Sequence, residues 1–133
     1  MAQRIEVRTN NREELVDITD LVEAAVRAAG VRAGIVHLQS LHTTCGLTVN
    51  EGHDPDVARD MVAFLRRLVP RDAGFRHAEG NSDSHIKTTL SGPGLTLPIE
   101  NGRLLLGTWQ RVFLAEWDGP RTRTLATTFL TGT

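Results

Sequence analysis

Apolar and polar positions alternate at both ends of the chain and take a helical period in its middle, and that change of period sets the expected order of elements. Ile5 and Val7 alternate with Glu6 and Arg8, which predicts an opening strand with one wet face, and the segment after Asn10 breaks the pattern. Between Thr19 and Ala29 the residues Leu21, Val22, Ala25, Val26 and Ala29 recur at helical spacing. Asp20 and Glu23 stand as in a capping box and Gly30 ends the helix. Gly34 to Leu41 and Gly46 to Asn50 read as strands, so His42 to Cys45 falls on their connection or at their ends. Asp54, Pro55 and Asp56 open a second helix with an acceptor at the cap and proline at the first helical position. Its expected buried stripe is Val57, Met61, Phe64, Leu65 and Leu68, and Pro70 stops it. Asn81 or Ser82 caps a short third helix that carries His85, Ile86 and Leu90 up to Gly92. Two hairpin signals follow, Asn101 with Gly102 and the Asp118 to Arg121 turn, and Pro98 belongs on an edge or at a bulge.

Strand, helix, two strands, two helices and then antiparallel strands predict an α+β fold, a mostly antiparallel sheet with helices packed on one face. At 133 residues the chain fits one domain spanning residues 1–133. The other sheet face, with Trp109, Val112, Phe113, Leu114 and Phe129 among Thr-rich strands, points to a small homo-oligomer; a polar, solvated face is the competing reading. A net charge of −1 removes the electrostatic case for a nucleic-acid partner. The apolar runs are shorter than the ~18 residues of a spanning helix, and the alternating N-terminus is unlike a signal peptide, so no membrane partner is expected. The single Cys45 rules out an internal disulfide and a multi-cysteine zinc site and suits a reducing cytoplasm.

The chemistry concentrates in two polar islands. Residues 77 to 87 hold His77, Glu79, Asn81, Asp83, His85 and Lys87, a mixture no packed core needs, and His42 to Glu51 lies upstream between apolar runs. If the two meet, His42, His77 and His85 supply three nitrogen ligands, the number in an open catalytic zinc site. The competing reading is three ordinary hydrogen-bonded histidines. Glu51, Glu79 and Glu116 are candidate proton carriers, each with a surface charge as the alternative. A helix starting near Asn81 points free N–H groups at the polar stretch, and Lys87 with Arg121 or Arg123 adds the positive charge of a phosphate site. For those arginines a solvated hairpin end competes. Trp109 and Gln110 wall a pocket or pack an interface, and Cys45 reads as a buried thiol rather than a nucleophile.

His42 to Glu51, Leu68 to Pro70, Glu79 to Asn81, Ser84 to Lys87, Leu97 and Pro98, Leu106 to Gln110, and Glu116 with Gly119 to Arg121 together resemble the YjbQ-like family, over nearly the whole chain. The resemblance implies a homotrimer and a secondary thiamine-phosphate synthase activity, joining an aminopyrimidine diphosphate to a thiazole phosphate. A metal-dependent hydrolase of a phosphate ester, or a non-catalytic trimer holding a metal or metabolite, is the alternative. It assigns His42, His77 and His85 to a divalent metal, zinc, with magnesium possible beside a diphosphate. Glu51, Glu116 and Lys87 are the implied catalytic groups, and Asn81, Arg121, Trp109 and Gln110 the implied contacts to a small phosphorylated substrate. Cys45 stands where many relatives have a small residue, which argues further against an essential thiol.

Overall fold

A computed structural model describes residues 2–132. Eight strands and three helices follow in the order β1 (Ala2–Arg8), β2 (Glu14–Asp17), α1 (Thr19–Ala29), β3 (Gly34–Ser40), β4 (Cys45–Glu51), α2 (Pro55–Leu68), α3 (Ser82–Ser91), β5 (Gly94–Glu100), β6 (Arg103–Leu104), β7 (Gln110–Glu116) and β8 (Thr122–Thr131). The α+β expectation holds, with the antiparallel strands divided between two sheets, β1-β8-β3-β5-β6 and β2-β7-β4. Val36, Leu38, Leu97, Ile99, Leu125 and Phe129 of the larger sheet meet Leu47, Val112 and Leu114 of the smaller one, with Val22 and Val26 of α1 filling the end of the layer. Each such buried aliphatic side chain contributes about 1.5–3 kcal/mol, so this layer is the fold's main source of stability.

Helices α2 and α3 lie over the smaller sheet, α3 against β4 and α2 against β2. Asp54 accepts from the Asp56 N–H at 2.9 Å, and Pro55 follows it, as the sequence predicts for the start of α2. The expected burial of its stripe does not occur: no residue of α2 is buried, and Phe64 and Leu68 are 55% and 57% exposed. A three-stranded sheet is too narrow to cover two helices, and α3 takes the closer seat. Gly46 allows this, because a Cβ there would collide with the Gly92 carbonyl and the Ser91 hydroxyl.

Strand β2 is absent from the sequence reading. It is four residues long and shows no alternation, so its conformation comes from pairing Leu15 and Val16 with Ala115 and Leu114 of β7. Asn101 and Gly102, at φ 54° and 75°, make the expected two-residue turn between β5 and β6. Val112, Phe113, Leu114 and Phe129 are buried within the chain and offer nothing to a partner. The open face is instead the outside of the larger sheet, where Ile35 lies between Leu130 and Pro98, His37 between Thr128 and Thr96, and Gln39 between Ala126 and Gly94. None of these nine residues carries a fixed charge. No helix among the described residues is long and apolar enough to cross a membrane.

Candidate functional site

The β4 and β7 ladder sorts the predicted site residues into two groups. Cys45 pairs with Glu116 at one end and Glu51 with Gln110 at the other, six residues along, or about 20 Å at the usual rise of a strand. His42, Asn81, Lys87, Glu116 and Arg121 belong to the first end; Glu51, Trp109 and Gln110 belong to the second.

At the first end the inward faces of β7 and β8 place Glu116 beside Arg123, both sealed between the sheets. Glu116 Oε1 accepts from Thr9 Oγ1 at 2.7 Å and Arg123 Nε at 2.9 Å, while Oε2 accepts from Arg123 Nη2 and from the Asp118 N–H at 3.0 Å. Arg123 Nη2 also donates to Thr44 Oγ1 at 2.9 Å, which ties the His42 to Cys45 connection to the same pair. With four donors already on it, Glu116 is built to hold backbone in place. Gly119 completes the arrangement: its N–H donates to the Arg12 carbonyl at 2.9 Å, and a side chain there would strike the Asn11 carbonyl and Glu116.

His42 lies at the rim of this cluster. The Thr124 N–H donates to its Nε2 at 2.8 Å, so the neutral ring carries its proton on Nδ1. Burial, then the charge of Arg123, and more weakly that of Arg121, hold its pKa below the usual histidine range against the pull of Glu116. Cys45 is buried, and burial pushes its thiol up, which leaves it protonated and unreactive.

Helix α3 carries the second half of this end. Its inward face holds Asp83, Ser84, Lys87 and Thr88, all buried. Lys87 Nζ donates to Asp83 Oδ2 at 2.8 Å and to Glu13 Oε2 at 2.6 Å, and Arg12 makes a two-pronged pair with Asp83 at 3.1 and 3.2 Å. Ser84 Oγ donates to the Trp117 carbonyl at 2.6 Å, which joins α3 to the residue just after β7. Asn81 occupies the cap position but makes no cap bond: its Nδ2 donates to Asp118 Oδ2 at 2.8 Å. Arg121 donates from Nη2 to the same Asp118 oxygen at 3.1 Å and keeps an exposed guanidinium edge. Before the helix, Arg71, Asp72, Gly74, Phe75, His77 and Gly80 line a cavity of about 250 Å³.

His77 and His85 meet edge-on with ring centres 5.7 Å apart, and His77 Nε2 lies 3.8 Å from Glu79. His42 does not join them, since its Nε2 is held by Thr124. Among the described residues no group of three or more His, Cys, Asp or Glu is placed to hold a metal ion. The expected zinc centre of His42, His77 and His85 therefore does not fit this chain.

At the far end, Glu51 Oε2 accepts from the N–H groups of His53 and Asp54 at 2.6 and 3.1 Å and braces the turn into α2. Trp109 is 56% exposed, with the His53 ring tilted against it and ring centres 5.0 Å apart. Gln110 Oε1 accepts from the Gly107 N–H at 2.7 Å. Arg12, Glu13, Thr9 and Arg71 have no role in the sequence reading. Only the Asp83 and Lys87 pairing, four residues apart on a helix, leaves a readable trace of that network.

The family model described as UPF0047 protein YjbQ-like matches residues 3–132. The UPF0047 protein MJ1081 of Methanocaldococcus jannaschii is 48% identical over 123 residues, covering 92% of this chain and 89% of its own length. A crystal structure of an uncharacterized YjbQ/UPF0047 protein from Clostridium acetobutylicum superposes with a TM-score of 0.94 at 41% identity, covering 96% of this chain and 99% of that one. A second, from Sulfolobus solfataricus and described as of unknown function, gives 0.93 at 32% identity over 99% and 97%. These relatives carry a family label and no reaction. Together with the missing metal group, that overturns the thiamine-phosphate synthase reading, the transferase assignment, and the alternatives of a metal-dependent hydrolase or a metal-holding trimer.

Proposed function

Because the chain belongs to the YjbQ-like UPF0047 family, whose relatives bring no reaction with them, we propose a function from the site alone: recognition of a small phosphorylated molecule at the start of α3. The observation that carries this reading is the uncapped N-terminus of that helix beside a cavity of about 250 Å³. The first N–H groups of a ten-residue helix and the positive end of its dipole favour an anion there. Arg71 and His77 line the cavity, and Arg121 is tied to the helix start through Asp118 and Asn81. His42 adds a neutral N–H donor at the rim of the same end, a group suited to polarising an oxygen without contributing charge. The reading places the protein in a reducing cytoplasm, where buried Cys45 stays a thiol.

Isothermal titration with inorganic phosphate and pyrophosphate tests it. Wild type is expected to bind pyrophosphate saturably. Arg121→Ala, which removes a charged donor from an exposed position, is expected to weaken binding about tenfold or more with the fold retained. Unchanged affinity in that variant, or no binding to wild type, defeats the proposal.

The second part of the reading is a homotrimer, the assembly the family resemblance implies. Its support is the uncharged patch of nine residues on the outer face of β8, β3 and β5, since interface cores are depleted of charge. His37→Glu and Thr128→Glu together bring like charges into directly opposed positions on that face. Light scattering is expected to give three times the chain mass for wild type and a smaller species for the double variant; a wild-type monomer at micromolar concentration sinks this part.

A further inference from the structure

The seating of α2 leaves a space beneath it. On the face that meets the helices, the smaller sheet sets Gly46 and Ala115 side by side with Leu15, and Thr48 follows two residues along β4. Helix α3 closes on Gly46, but α2 buries no residue against the sheet, and a cavity of about 190 Å³ remains between the two helices and this floor. Its walls are Met61 and Leu65 of α2, Leu90 of α3, Leu15, Ala115 and Trp117. Only Thr48 and Ser91 bring polar side chains to it, and no lining side chain carries a charge. Ser91 Oγ is committed: it donates to the Lys87 carbonyl at 3.1 Å and accepts from Trp117 Nε1 at 3.3 Å. Thr48 is half-buried, and its hydroxyl makes no hydrogen bond to any described residue.

We propose that this cavity binds a small one-ring aromatic molecule carrying a hydroxyl group, with its ring against Met61 and Trp117 and its hydroxyl on Thr48 Oγ1. Size argues for the single ring. An apolar cavity of about 150 Å³ holds benzene, so this one has room for a ring with one or two further heavy atoms. It is smaller than the ~300 Å³ at which pockets for larger ligands begin. Lining argues for the chemistry. A thioether and an indole both make favourable contacts with an aromatic ring, and an anion finds no partner in a space without charged walls. Water is a poor occupant, because it needs two or more polar partners and Thr48 offers the one uncommitted hydroxyl.

Access follows from the same loose seating. Leu90 is 57% exposed at the edge of the cavity. On the next flank of α2, a more open space of about 370 Å³ reaches Leu15 beneath Ala58 and Val62, so the helix can shift as a ligand enters. Leu90 lies eight residues along α3 from its first residue, about 12 Å at the helical rise, so the site is separate from the phosphate reading and does not depend on it.

The test is titration of p-cresol into the full chain, followed by NMR of the indole N–H groups. The chain has two tryptophans, Trp117 in the wall of the cavity and Trp109 exposed at the far end of the β4 and β7 ladder. Wild type is expected to bind with a Kd below about 1 mM, moving the Trp117 signal and leaving that of Trp109 in place. Thr48→Val keeps the shape and removes the hydroxyl; it is expected to weaken p-cresol about five- to tenfold and to leave toluene, which has no hydroxyl, unchanged. Ala115→Leu fills the floor and is expected to abolish binding of both. Leu90→Trp, at an exposed position, covers the edge of the cavity and gives the same readout should Ala115→Leu not fold. Absence of saturable p-cresol binding to wild type overturns the proposal, as does binding that moves only Trp109 or that survives the filling variants. Equal effects of Thr48→Val on p-cresol and toluene overturn the hydroxyl assignment and the ligand class with it.

Discussion

Arg123→Ala is expected to cost about 3–5 kcal/mol of stability, most of what a domain of this size has to spare. The cost comes from what the substitution leaves behind. Glu116 is wholly buried, and Arg123 supplies two of the four hydrogen bonds on its carboxylate. Without them a negative charge remains sealed between two sheets with only Thr9 Oγ1 and the Asp118 N–H for company. The damage spreads because Thr44, on the connection between β3 and β4, loses its guanidinium donor in the same step. Removing both charges is a different experiment: Glu116→Leu with Arg123→Met deletes the ion pair and leaves nothing unpaired, and is expected to recover a large part of the loss. Urea unfolding of the single and double variants checks this. A single-variant loss below about 1 kcal/mol means that the pair is solvated in solution, contrary to its burial.

Much of this fold can be read from local pattern, and the failures have physical causes. The Gly30 end of α1, the Asp54 cap of α2, the Asn101 and Gly102 turn and the long antiparallel strands depend on residues close in sequence, where spacing carries the information. The expected capping box of Asp20 and Glu23 does not form, since Ile18 takes the cap position without a side-chain bond and Glu23 accepts from the Leu104 N–H. Strand β2 depends on a partner about 100 residues away, and its own four residues show no period. The stripe on α2 is real as a pattern, yet pattern states only which residues share a face, not whether the sheet beneath is wide enough to bury them. The site divides in the same way. Its two polar islands do come near each other, through Trp117, whose N–H donates to the Thr44 carbonyl at 3.2 Å and whose carbonyl accepts from Ser84 Oγ at 2.6 Å. The sequence could not show that Glu51, Trp109 and Gln110 lie a whole strand length from that meeting point, because strand register decides it. Nor could it show that His42 gives its Nε2 to the backbone of Thr124, the single contact that removes it from a metal site.

Lys87→Met is expected to cost a further 3–5 kcal/mol, roughly, at neutral pH, and the size of this loss should depend on pH in a defined direction. Lys87 is 1% exposed and lies between Asp83 and Glu13, whose side chains are 0% and 5% exposed. Methionine nearly matches its length, so the change removes charge with little loss of volume. Burial alone pushes both carboxyls up, but hydrogen bonds and charge outweigh it: Arg12 and Lys87 hold Asp83 below the usual carboxylate range, and Arg66 and Lys87 do the same for Glu13. A carboxyl depressed in the folded state adds stability above its unfolded pKa, about 4, and that stability is lost as pH falls through the lower folded value. Without Lys87 the folded values rise toward the unfolded ones or beyond, so the variant lacks this contribution at pH 7. At pH values below both sets of pKa neither protein has it, and the two carboxyls no longer need a cation. The stability gap between wild type and Lys87→Met should therefore be widest near neutrality and narrow steadily below about pH 4. Denaturant unfolding of both proteins at pH 7 and pH 3 measures it. A gap that stays constant means the lysine acts through packing alone, and one that widens in acid contradicts the charge network described for α3.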